Sequence, residues 1–161
     1  MLGKYLTNFL TISTLLFLLG CSLSIPEITS SQILPISAQT QIGNKLIKLE
    51  VAKTTKEQAT GLMNRTFLAN DRGMLFEFKP AQKLNFWMKN CKIPLDMIFV
   101  RNEIVTTITA NAPPCVTNPC PNYAPNTTVD RVIELQGGQS AKLGIRIGDR
   151  IKIEFLHNSQ Q

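Results

Sequence analysis

Along Lys45-Leu-Ile-Lys-Leu-Glu-Val51, apolar Ile47, Leu49 and Val51 alternate with charged Lys48 and Glu50, the two-residue period of a strand with one buried and one wet face. Thr54 with Glu57, and Thr55 with Gln58, then offer capping boxes that open a short helix running through Met63, with Gly61 near its end. Further apolar runs follow at Gly73 to Phe78, Leu84 to Met88, Leu95 to Val100, Ile104 to Ala110 and Arg131 to Leu135. Pro80, Pro94, Asn102 and the proline-rich stretch Pro113 to Pro125 separate them. Gln139 to Leu143 suits a second short helix, and Arg150-Ile-Lys-Ile-Glu-Phe155 alternates as a last strand. Between these two, Gly144 and Gly148 are free to take the positive φ of a helix stop and a tight turn, in which Asp149 is expected to bond backbone N–H groups of its own loop. The pattern predicts a β-rich chain.

The first forty residues follow another pattern. Lys4 precedes an uncharged, largely apolar run from Tyr5 to Leu19, the layout of an export signal. The run is interrupted by Thr7, Asn8, Thr11, Ser13 and Thr14 and falls short of the ~20 apolar residues a membrane span needs. Leu18-Leu19-Gly20-Cys21 resembles the lipobox of bacterial lipoproteins, although Leu19 is less usual there than Ala, Ser or Thr. The expectation is a signal peptide over residues 1–20, lipidation of Cys21, and a chain tethered to a membrane of the cell envelope, facing the periplasm or exterior. Two acyl chains hold stably because each buried methylene contributes about 0.8 kcal/mol. Ser22 and Ser24, in place of an aspartate, favour the outer membrane. Residues 21–40, with several serines, Pro26 and Pro35, read as a linker, residues 41–157 as one domain, and residues 158–161 as a tail.

Charge adds little. The 161-residue chain carries a net +6, which becomes +5 once Lys4 is removed with residues 1–20. The basic residues are spread without a cluster, so the expected partners are the membrane, through the anchor, and an envelope protein or small polar ligand, with no nucleic acid.

Gly61-Leu-Met-Asn-Arg65, Gly73-Met-Leu-Phe76, Phe86-Trp-Met-Lys-Asn90, Ile93-Pro-Leu-Asp96, Glu134-Leu135 and Gly144-Ile-Arg-Ile-Gly-Asp149 occur here in this order. In this the chain resembles the family known as domain of unknown function 192, over nearly the whole folded part. The resemblance implies a compact antiparallel sandwich or barrel-like domain, mainly β, with one or two short helices. It implies no activity, cofactor or catalytic residue.

Where that family commonly has Thr after Trp-Met-Lys-Asn, this chain has Cys91, and it also carries Cys115 and Cys120. In an oxidising compartment two of the three thiols should pair. Cys115 with Cys120 is the favoured disulfide, Cys91 with either the alternative; redox catalysis is disfavoured because no Cys-x-x-Cys opens a helix. Met63, Met74, Met88 and Met97 with the cysteines could ligate cuprous ion, but each methionine sits in an apolar run where a thioether fills core space. His157 is the sole histidine, so a zinc site is not expected, and no cofactor is.

No serine or cysteine comes with a histidine base, and no phosphate-binding glycine loop is present. Two carboxylates stand in apolar strands, Asp96 and Glu134, with Arg65, Lys89 and Arg131 as available cations. The favoured reading is a structural ion pair. The functional alternative is a ligand pocket in which Asp96, Glu134, Arg65, Lys89 and Asn90 converge beside Trp87, binding a small polar molecule or, as acid and base, cleaving one. Phe86 and Met88 should share one strand face and Trp87 take the other, with the indole expected in the core and a surface groove as the alternative. Asn64 and Asn126 match glycosylation sequons without further support. A binding or envelope assembly module is the leading expectation, ahead of an envelope enzyme and a copper binder.

Overall fold

The computed structural model describes residues 30–156; the expected signal peptide, Cys21 and His157 lie outside them. In chain order the elements are β1 (Ile36–Ile42), β2 (Lys45–Ala52), α1 (Thr55–Thr60), β3 (Arg72–Gln82), β4 (Phe86–Trp87), β5 (Leu95–Arg101), β6 (Ile104–Ala112), β7 (Asn122–Tyr123), β8 (Val129–Gln136), α2 (Gln139–Lys142) and β9 (Glu154–Phe155). Seven strands form one sheet in the order β6-β5-β8-β3-β2-β1-β9, and β4 pairs with β7 in a separate ribbon. The domain is mainly β with two short helices, as expected.

Local chemistry accounts for the connections. Gly43, at φ +57°, turns β1 into β2, and Asn102 and Glu103, both at positive φ, turn β5 into β6. Thr54 caps α1, its hydroxyl accepting the N–H of Glu57 while the Glu57 carboxylate accepts the N–H groups of Lys53 and Thr54. The helix ends at Thr60, three residues before Met63, because Gly61 leaves helical geometry at φ 48°. The connection through α1 returns β3 alongside β2 in parallel, so the sheet is mixed and not purely antiparallel. Gly73 lets β3 lie against β8, since a Cβ there would stand 2.7 Å from the carbonyl oxygen of Glu134.

Each face of the sheet carries a core. One packs Ile47, Leu49, Leu75, Ile98, Val105 and Ile133, closed by Ile145 and Ile151. The other packs Met74, Phe76, Met88, Met97, Phe99 and Val132 beneath the β4–β7 ribbon and the loops around Leu62, Leu68 and Cys91. With cover on both sides, all of Leu95–Val100 is buried. The segment after α2 bonds to the outer edge of β6, where Val105 and Ile151 donate to the carbonyls of Asp149 and Glu103, and then pairs with β1 as β9. It draws the two ends of the sheet together without closing a barrel.

Three boundaries differ from the sequence reading. The linker expected to run through Thr40 ends sooner, because Ile36–Ile42 pairs with β2. The run Leu84 to Met88 is a strand only at Phe86–Trp87, and Arg150 to Phe155 only at Glu154–Phe155, with Arg150 forming an isolated bridge to Ile104. The Asp149 carboxylate accepts the N–H of Arg146 within its own turn, as expected.

Candidate functional site

Glu134 and Asp96 lie on opposite faces of the sheet. In the pairing of β5 with β8, Met97 stands opposite Glu134 and Asp96 opposite Leu135. Side chains alternate along each strand, so Glu134 shares a face with Met74 and Met97 while Asp96 points to the other side. There Asp96 is fully buried and accepts the backbone N–H groups of Asn111, Gly138 and Ser140 at 2.6, 2.8 and 2.6 Å, which fixes the entry to α2. Its role is structural.

Arg65 is also committed elsewhere. Its guanidinium grips Glu50 through both terminal nitrogens and donates to the carbonyl of Gln32 at 2.7 and 3.1 Å. The Leu34 N–H adds a third bond to Glu50, and the Gln32 amide donates to the carbonyls of Glu57 and Gly61 at the end of α1. Arg65 and Glu50 thus form a buried clamp that straps residues 32–34 onto the domain. Arg131 lies 3.6 Å from Glu77. The expected convergence of Arg65, Lys89, Asn90, Asp96 and Glu134 is therefore corrected, as is the ion pair expected for Asp96 or Glu134. Among the described residues neither carboxylate meets an arginine or lysine.

Glu134 instead lies at the base of a cleft of about 280 Å³. Leu62, Phe76, Phe78, Leu84 and Phe86 form much of its wall, α1 contributes one side, and Cys91 and Met63 reach it as well. Phe86 is the centre of the aromatic cluster, meeting Phe76, Phe99 and Phe78 edge to face at 5.3, 5.8 and 6.4 Å. Two motifs of the sequence build the walls, Gly61 to Arg65 after α1 and Phe86 to Asn90 through β4. They are tied together where the Asn64 N–H donates to the carbonyl of Asn90 at 2.8 Å, with Asn64 and Asn90 both in left-handed conformation. Gly61 opens the rim, where a Cβ would sit 3.4 Å from the Phe76 ring.

Within this apolar setting Oε2 of Glu134 has no hydrogen-bond partner among the described residues. Burial pushes its carboxyl up to about 8, so the group is mostly protonated at neutral pH. Cys91 is a free thiol, pushed up to about 12 by burial and, secondarily, by the neighbouring Glu134 charge. It is therefore inert as a nucleophile.

Trp87 is not in the core. The residue is 48% exposed, and it lines both the cleft and a second groove formed also by Lys89, Asn90, Asn122 and the Cys115–Cys120 loop. The indole faces outward because Phe86 and Met88 take the inner side of the strand, and Lys89 Nζ lies 5.4 Å over its ring. Cys115 and Cys120 form the favoured disulfide. Of the soft donors, Met74, Met88 and Met97 are buried in the core and only Met63 and Cys91 reach the cleft. Among the described residues no three His, Cys, Asp or Glu side chains stand together as a metal site.

Two solved structures are similar to this chain. One, from Novosphingobium aromaticivorans DSM 12444, is a protein of unknown function with 36% sequence identity and a TM-score of 0.65; the match covers 72% of this chain and 83% of that one. The other, a candidate transcription regulator from Sinorhizobium meliloti 1021, has 31% identity and a TM-score of 0.64, over 73% of this chain and 91% of that one. No curated protein matches. The family model DUF192, whose description is Uncharacterized ACR, matches residues 37–153, which take in nearly all of β1, the strands β2 to β8 and both walls of the cleft, and the chain belongs to that family.

Proposed function

We propose that the domain is a small-molecule-binding module, held at the outer side of a bacterial membrane by lipid on Cys21. One observation carries the binding reading: an open cleft with largely apolar walls ends on a buried carboxyl group whose Oε2 has no partner among the described residues. Leaving a buried polar atom unpaired costs about 1–3 kcal/mol, a cost that a ligand group bonding to it would remove. The apolar walls would supply affinity and Glu134 would orient the ligand. The volume suits a molecule of about one ring or a short branched chain, with one polar end.

The binding reading is tested on the mature chain from Cys21, kept in detergent, by ligand-observed NMR with single-ring probes carrying one polar substituent. Binding that quenches or shifts Trp87 fluorescence and disappears in Leu84→Trp, which fills the cleft, is the expected result. Probes that bind Leu84→Trp and the parent chain equally overturn it. The anchor is tested separately by detergent phase partition in a bacterial host. The parent protein should enter the detergent phase and Cys21→Ser the aqueous phase; equal partition of the two sinks the lipidation.

A further inference from the structure

Among the described residues Glu134 lacks a counter-charge, and the nearby cations are already engaged. Arg65 is bound to Glu50 and the Gln32 carbonyl, Arg131 lies beside Glu77, and Lys89 sits over the outer side of Trp87. Across the sheet the neighbours of Glu134 in its row are the thioethers Met74 and Met97. From the loop after β4 it faces the Cys91 thiol; α1 presents Thr55, Gln58, Ala59 and Thr60 to the cleft and no ionisable group. On the same face, two strands away, Glu50 is held by its arginine. The cleft is also lined by Phe76, Phe78, Phe86 and Trp87, and the faces of aromatic rings attract cations.

A buried carboxyl without a partner among the described residues, in a cleft that also holds four aromatic rings, is complementary to a positively charged group brought in from outside. Building on the reading of the cleft as a binding site, we propose that its ligand is an organic cation, a small amine whose ammonium group bonds Glu134 while its apolar body packs against Leu62, Phe76 and Phe86. An anionic ligand would meet the carboxylate as a like charge. A neutral hydroxyl or carbonyl compound would use only the protonated acid as a donor. The two classes therefore respond to pH in opposite directions. An ammonium ion needs the carboxylate, so its binding expels the Glu134 proton and tightens as pH rises toward 8, by about tenfold per pH unit. A neutral acceptor weakens over the same interval.

The test compares 2-phenylethylamine with its neutral isostere 2-phenylethanol on the mature lipidated chain in detergent, by calorimetry at pH 6, 7 and 8. The expected result has three parts. The amine binds more tightly than the alcohol at pH 8, by about tenfold or more. Its affinity rises between pH 6 and 8, and close to one proton is released at pH 7, read from titrations in two buffers of different ionisation heat. In Glu134→Gln the amine preference and the proton release are both lost while the alcohol still binds. Equal affinities for amine and alcohol, or an amine affinity that does not change with pH, overturn the cation proposal and leave the cleft reading standing. If neither probe displaces the other or perturbs Trp87, the cleft reading falls and the cation proposal with it.

Discussion

An acid at position 134 costs the fold something that an amide would not. The folded-state carboxyl titrates near 8 and the unfolded one near 4.5, so between these values the folded chain holds a proton that the unfolded chain has released. Stability is therefore greatest below the unfolded value, declines as pH rises to about 8, and is level above it, with a total loss of roughly 5 kcal/mol. Urea unfolding at pH 5, 7 and 9 should show this decline in the parent and not in Glu134→Gln, which is expected to be the more stable of the two at pH 9. Parallel curves would exclude a raised carboxyl. Cys91 provides a second check: Ellman's reagent at pH 8 should leave it unmodified in the native chain and react fully in urea. Prompt native labelling would mean the thiol is accessible. Glu134 could be singled out in the sequence because an acid stood in Val132-Ile-Glu-Leu135, but its lack of a partner could not. That depends on Arg65 choosing Glu50, a residue that reads as the wet side of its strand and is in fact 6% exposed. Trp87 was placed on the correct face relative to Phe86 and Met88 by alternation alone, yet alternation does not say which face is covered.

At the scale of elements, legibility followed the size of the inward side chains. β2 and β5 carry Ile, Leu, Val, Met and Phe inward and were plain. β1 buries Ala38 and Thr40, which give no hydrophobic period, so Ile36–Ile42 passed for the end of a linker. The parallel pairing of β2 with β3 was hidden because it depends on where the chain returns after α1, which local pattern does not encode. Two elements rest on single charged side chains, and each should be sensitive to replacement. Asp96→Asn removes one of the two oxygens that accept three N–H groups and should cost about 2 kcal/mol in urea unfolding, with the entry to α2 showing faster amide exchange. Probe binding in the cleft should be unchanged, since Asp96 points to the other face; a loss of binding with the fold intact would contradict that separation. Arg65→Met leaves Glu50 buried without its partner and should cost about 3 kcal/mol or more, with new proteolytic cleavage near Gln32 to Leu34. A variant as stable and as protease-resistant as the parent would show that the clamp contributes nothing.

The molecule as a whole is one sheet whose outer strands are drawn together by the segment from Gly148 to Phe155, with the cleft built against the opposite side by α1 and the β4–β7 ribbon. The family motifs divide between these two tasks. Gly144 to Asp149 and Ile93 to Asp96 hold the end of the sheet and α2, whereas Gly61 to Arg65 and Phe86 to Asn90 make the walls around Glu134. Reducing Cys115–Cys120 should leave the sheet standing, because its short loop is worth about 2 kcal/mol of chain entropy; far-UV circular dichroism before and after mild reduction should coincide, and a collapse of the signal would refute this. The strap at Gln32 has a consequence for a tethered chain. Gln32 bonds the carbonyls that finish α1, and α1 is one side of the cleft. Gln32 and Leu34 are the residues nearest the amino end, among those described, that are bonded to the domain by Arg65 and Glu50, so on the proposed anchoring a load carried to them would bear on the Arg65–Glu50 clamp and on the wall of the cleft. The same few side chains that hold the amino end in place therefore also brace one side of the cleft.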